Sequence, residues 1–167
     1  MRVYLPATVR MLRQFVEDRQ LQPFSGTAFA LTPALREAYV SGDTEELEYV
    51  AMREAARASL RLIAGESSED EQTDLRRAVV SADVEDVTLR PDLDDAVVRL
   101  SGPVPWENIA AVHMDAAEAE EAVRAAAAGI DAADLGDEDA ELALGDAEDH
   151  ELAWYAPQEV HFVLELM

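Results

Sequence analysis

The two ends of this chain carry the same short pattern, and that repetition restricts the fold more than any other feature. Arg2-Val3-Tyr4-Leu5-Pro6-Ala7-Thr8-Val9 opens the sequence, and Ala153-Trp154-Tyr155-Ala156-Pro157-Gln158-Glu159-Val160 nearly closes it. Each reads as a few strand-forming residues, then Tyr-x-Pro, then an apolar residue three positions after the proline. Proline has no N–H for a ladder but suits the first turn of a helix, where that N–H would be unpaired. Both ends therefore predict a strand that breaks at proline and turns directly into a helix. Phe29-Ala30-Leu31-Thr32-Pro33 and Val112-His113-Met114-Asp115-Ala116 have a similar form.

Helical spacing of Val9, Leu12, Phe15 and Val16 follows Pro6, up to the Gln22-Pro23 break. A strand over Thr27–Leu31 leads into a short helix started by Thr32-Pro33. Strand, helix and strand with a short return predict a parallel pair joined by a right-handed crossover. Asp43 with Glu46 is a capping-box pattern, and it opens the longest helix, to about Ala64 with Gly65 as its stop. Residues 65–75 are acidic and aperiodic and predict a mobile loop.

Arg77–Val84 and Ala96–Leu100 are valine-rich and predict an antiparallel strand pair; Ala110–Met114 predicts another strand. Asp115 with Glu118 repeats the capping-box pattern before a helix that stops at Gly129. Helical stretches follow over residues 131–150, with Ala140, Leu142, Leu144 and Ala147 along one face. The last strand ends at Tyr155, and the last helix starts at Pro157. Together these predict one α+β domain over residues 1–167. Its single mixed β-sheet should have about five to six strands, with helices mainly on one face, in a ferredoxin-like or related arrangement.

Charge narrows the function. The net charge is −23, every one of the 13 basic residues is arginine, and cysteine is absent. Without lysine there is no Schiff-base nucleophile and no phosphate-loop lysine; without cysteine there is no thiolate and no Cys-ligated zinc. Residues 1–63 balance eight arginines against eight acids, whereas residues 100–167 set one arginine against seventeen acids. A field of that sign repels nucleic-acid backbones and anionic membrane surfaces. A solvated acidic surface that keeps the protein soluble is the favoured reading of this charge; salt adaptation or a basic protein partner is the alternative. No targeting segment and no apolar run of transmembrane length is visible, so the cytoplasm is the expected compartment. Nothing in the sequence sets an oligomeric state.

Four groups of residues are candidates for chemistry. If the first, second and last strands lie parallel and adjacent, the three proline turns share one rim of the sheet. Their helix N-termini would then form an anion-binding crevice rimmed by Tyr4, Thr8, Thr32, Arg36, Tyr155 and Gln158. Ordinary capping and packing explain the same residues without a ligand. Arg53, Arg57 and Arg61 form a stripe at four-residue spacing that could clamp an anion, but pairing with the acidic half of the chain is the favoured reading. The acids between Asp131 and Asp139 lack the spacing of a calcium loop, so no metal site is expected. His113, His150 and His161 carry no His-Glu-x-x-His pair, and packing accounts for each. Trp106 and Trp154 read as core or pocket-wall residues.

Met1 to Thr8, Phe29 to Glu37, Glu45 to Tyr49 and Asp149 to Tyr155 resemble an uncharacterised protein family of actinobacteria, a domain of unknown function. The resemblance covers nearly the whole chain. It implies a bacterial cytoplasmic protein from a high-GC genome, and it carries no catalytic residues or cofactor with it. The expected function is that of a non-catalytic binding or interaction protein with a strongly acidic C-terminal half. A small-molecule enzyme or sensor using the proline-turn crevice is the alternative, and an acidic mimic of nucleic acid is a weaker one.

Overall fold

The computed structural model describes residues 1–167. In chain order the first elements are β1 (Arg2–Ala7), α1 (Val9–Asp18), β2 (Gln20–Leu21), β3 (Thr27–Ala30), α2 (Pro33–Ala38) and α3 (Thr44–Ser67). The strand-rich middle supplies β4 (Ala78–Asp83), β5 (Val87–Leu89), β6 (Val97–Leu100), β7 (Val104–Pro105) and β8 (Ile109–Met114). The acidic end supplies α4 (Glu120–Ala128), α5 (Ile130–Asp134), α6 (Glu138–Glu148), β9 (Ala153–Tyr155) and α7 (Val160–Glu165).

Seven strands form the main sheet in the order β5-β6-β3-β1-β4-β8-β9, and β2 pairs with β7 in a separate ribbon. Every neighbouring pair is antiparallel. The α+β class stands, but the sheet is larger than expected and not mixed. The central parallel pair of a split β-α-β arrangement is not formed. The cause lies between α1 and β3. A ten-residue helix carries the chain about 15 Å away from the end of β1. Arg19, in the left-handed region at φ 58°, then turns it back. Residues 20–26 retrace the distance as β2 and one 3-10 turn, so β3 starts where β1 ended and runs against it. Likewise Arg77–Val84 and Ala96–Leu100 do not pair with each other; β6 pairs with β3 and β5.

Pro6 lies inside β1, opposite Val79, and not at a helix start. Met1 exchanges backbone hydrogen bonds with Val84, so alternate residues of β1 (Val3, Leu5, Ala7) bond towards β4. The missing N–H of Pro6 therefore faces the β3 side, where pairing has already ended at Tyr4 opposite Phe29. Thr8, one residue after the strand, caps α1 through its side chain.

Helices cover both faces of the sheet, not mainly one. Val3, Leu5 and Ala7 point to the face covered by α1 and α7, where Val9, Leu12, Phe15, Val160 and Leu164 close the main core. Burying side chains of this size contributes about 1.5–3 kcal/mol each. Tyr4, Phe29, Val79 and Val97 point to the other face, covered by Leu35 of α2 and Ala51, Ala55 and Ala56 of α3. The small alanines let α3 lie close to the strands. Its C-terminal Leu60 and Ile63 continue into a third cluster with α4, α5 and α6.

Asp43 caps α3 as its spacing predicts, but the helix runs through Gly65 to Ser67. The acidic segment that follows is tied to α1 by Arg10 with Asp70 and Arg13 with Asp74. Asp115 is not a cap. Its carboxylate is taken by Arg77, and α4 begins only at Glu120. Leu142, expected on the buried face of α6, points to solvent while Leu144 and Ala147 are buried.

Candidate functional site

The antiparallel sheet separates the residues expected to share a crevice. The end of β1, with Thr8, lies at the opposite end of the sheet from the end of β3, with Thr32. The Pro33 and Pro157 turns do leave the same end, but β1, β4 and β8 stand between their strands. Four strand spacings amount to about 19 Å. Tyr4 and Tyr155 are on opposite faces: Tyr4 packs under α3, Tyr155 against the α1/α7 core. Thr8 and Thr32 accept bonds from the backbone N–H groups of Met11 and Leu35 as ordinary caps, and Thr32 donates to the Asp95 carbonyl. Arg36 donates to Thr44 at 3.2 Å, and Gln158 is exposed in the turn before α7. No common crevice joins the six.

Of these residues, Tyr4 alone lines a concavity on the α3 side of the sheet. Register places Tyr4, Ser81 and Ala111 in one row across β1, β4 and β8, and Val79, His113 and Trp154 in the next. Successive rows on one face lie about 7 Å apart. A β-bulge between Ser81 and Ala82 leaves Ala110 unpaired and sets it at the rim. The N-terminal turns of α3 overhang β1 but stop short of β8 and β9. Between them lies an open trough of about 490 Å³, walled by Glu45, Glu48, Tyr49 and Met52 of α3 on one side and by Trp154 on the other. It continues past Tyr49 and Met52 into a smaller cleft of about 180 Å³ with Arg53, Arg57, Arg77, Glu148 and Glu151.

The polar groups of the trough have defined partners. Tyr4 donates to Glu48 Oε2 at 3.4 Å. Burial, and then the Glu48 carboxylate, push the Tyr4 hydroxyl from 10.0 up to about 12. Arg2, at one end, is held by Asp83 through bonds of 2.8 and 3.1 Å. Ser81 Oγ lies 3.3 Å from His113 Nε2. Burial, with a smaller contribution from Arg2, lowers the pKa of His113 below 6.5, so the imidazole is neutral at pH 7. A Ser–His contact suggests nucleophilic chemistry, but Ser81 is only 2% exposed and no carboxylate is bonded to His113 to orient it. The pair can offer a hydrogen bond; it does not present an attacking oxygen.

A second hollow of about 490 Å³ lies on loops near Met1, Glu85 and Gly102. It has no aromatic lining, and its one amide, Asn108, already donates to the Asp83 carbonyl. No group of three or more His, Asp or Glu side chains is arranged to hold a metal ion. The arginine stripe is internally paired: Arg53 with Glu148, and Arg57 and Arg61 with Asp134.

His113, Ser81, Tyr49 and Glu48 were not singled out by sequence reasoning as a binding surface. The alternation of Ile-Ala-Ala-Val-His-Met does set His113 apart from its apolar neighbours, but only strand order tells which helix it faces.

No helix is long and apolar enough to cross a membrane. Neither a curated protein nor a solved structure matches the chain. A family model does match, over residues 1–164, and the chain belongs to DUF6912, a family of unknown function.

Proposed function

We propose that this protein is a non-catalytic, cytoplasmic binding protein that holds its partner in the trough between α3 and β9, and that its source is actinobacterial. One observation carries the reading. Tyr49 and Trp154, 52% and 60% exposed, stand on opposite walls of a single concavity whose floor holds Tyr4 and His113. The chain has only 6% aromatic residues, so such a cluster on an open surface marks a contact site more than idle packing. The closed position of Ser81 and the neutral, unoriented His113 favour binding over catalysis.

The test uses wild-type protein and the Tyr49→Ala/Trp154→Ala variant as baits in a lysate of the source organism, compared by quantitative mass spectrometry. Proteins or ligands enriched by the wild type and lost with the variant support the reading. Identical profiles overturn it.

A further inference from the structure

Resting on that reading of the trough, we infer that its occupant is a cationic side chain, an arginine carried on an extended segment of a basic protein partner. Three aromatic side chains, Tyr4, Tyr49 and Trp154, border one depression. Aromatic faces are electronegative and attract guanidinium groups, most strongly at tryptophan. Glu45 and Glu48 line the same depression, and neither has an arginine within ion-pairing distance. The one cation in the lining, Arg2, is already matched by Asp83. The trough therefore combines π faces with two carboxylates that form no ion pair. Anionic ligands fit this surface poorly.

The shape points to a chain segment in preference to a small free cation. The trough is open and runs on along α3 into the second cleft. On its other side lies β9, an edge strand. Asp115 donates its N–H to the Arg77 carbonyl, which makes His113 and Ala111 bond towards β4, and Val112 and Met114 towards β9. By the same alternation the N–H and C=O of Trp154 face outward at the edge. A partner strand can add there and lay alternate side chains over Trp154 into the trough. Charge complementarity supports a basic partner, since residues 100–167, which include β9, hold seventeen acids and one arginine.

The experiment uses the Trp106→Phe protein, in which Trp154 is the sole tryptophan. Its emission is titrated with three probes: a nine-residue valine/threonine peptide with one central arginine, the same peptide with citrulline in its place, and N-acetylarginine methylamide. Citrulline keeps the shape and removes the charge. Saturable quenching by the arginine peptide is expected, with at least tenfold weaker binding of the citrulline peptide and of the small amide. A further tenfold loss is expected in Glu45→Gln/Glu48→Gln, whose fold is checked by thermal melting. Equal binding of arginine and citrulline peptides, or no binding of either, overturns the inference. Equal binding of the small amide and the peptide overturns the extended-segment part. Each of those results leaves the bait comparison, which tests the trough itself without assuming a charge, to stand or fall separately.

Discussion

Asp115 accepts three hydrogen bonds from Arg77, one from the backbone N–H and two from the guanidinium, each 2.8 Å long, and both side chains are closed to water. The guanidinium also donates to the His150 carbonyl at 2.8 Å. One ion pair thus ties the start of β4 to the end of β8 and to the loop before β9, the strand that forms one wall of the trough. Arg77→Met leaves a buried carboxylate without its counter-charge and should cost about 3–5 kcal/mol. That is a large share of the ~5–15 kcal/mol typical of a whole domain. Arg77→Met/Asp115→Leu removes both charges and should be less destabilised than the single variant. It should still fall below wild type, because the Arg77 N–H and the His150 carbonyl lose their partners. Urea denaturation of the three proteins orders them.

Ser59 makes a second buried connection. Its hydroxyl donates to the Ala7 carbonyl at 2.7 Å and accepts from the Ala78 N–H at 3.1 Å, pinning α3 to the last pair of the β1–β4 ladder. Ser59→Ala removes both bonds without adding bulk. A loss of about 2 kcal/mol is expected in chemical denaturation, since buried backbone groups lose partners that water cannot replace.

Asp134 and His113 both contribute to the acid limb of stability. Hydrogen bonding to Arg61, followed by that to Arg57, holds the Asp134 carboxyl down at about 2 against 3.8 unfolded. A depressed folded value means the unfolded state takes up the proton first. This contribution is present above pH 3.8 and is lost as pH falls towards 2. Asp134 is exposed enough for solvent to screen it, so Asp134→Asn should cost less than about 1 kcal/mol at pH 7. His113 follows the same logic at higher pH: its folded pKa is lowered below 6.5 by burial, and stability should fall as pH drops below 6.5. His113→Gln should flatten that limb in melting curves taken between neutral and mildly acid pH.

Local signals were legible in the sequence wherever a few adjacent residues decide the outcome. Thr32 and Asp43 cap helices because a short oxygen two or three residues ahead of unpaired N–H groups has little else to bond. The arginine stripe found acids because a neutral half and an acidic half of one chain attract. Strand order was not legible, since nothing near Thr27 states that residues 20–26 return the chain to its starting end. Pro6 misleads for a related reason: proline is tolerated in a central strand if pairing on its N–H side has already stopped, and the strand on that side is remote in sequence. Asp115 has the spacing of a cap, but a buried arginine outcompetes a backbone N–H for its carboxylate. Tyr4 was a sound candidate, yet it belongs with Glu48, Tyr49 and Trp154 and not with the residues of the other proline turns.

Tyr4 offers the most direct check on the electrostatics of the trough. Its hydroxyl pKa is raised from 10.0 to about 12, first by burial and then by Glu48. A raised folded value stabilises the fold fully below pH 10, and the benefit is lost as pH rises towards 12. The chain has four tyrosines, and Tyr4 should be the last to develop tyrosinate absorbance, together with the onset of alkaline unfolding. Tyr4→Phe should remove that last step and leave the other three. Glu48→Gln should bring the step to lower pH but not back to 10, because burial by β4 and α3 remains when the carboxylate charge is gone. If the step does not move in Glu48→Gln, the carboxylate does not act on the floor of the trough.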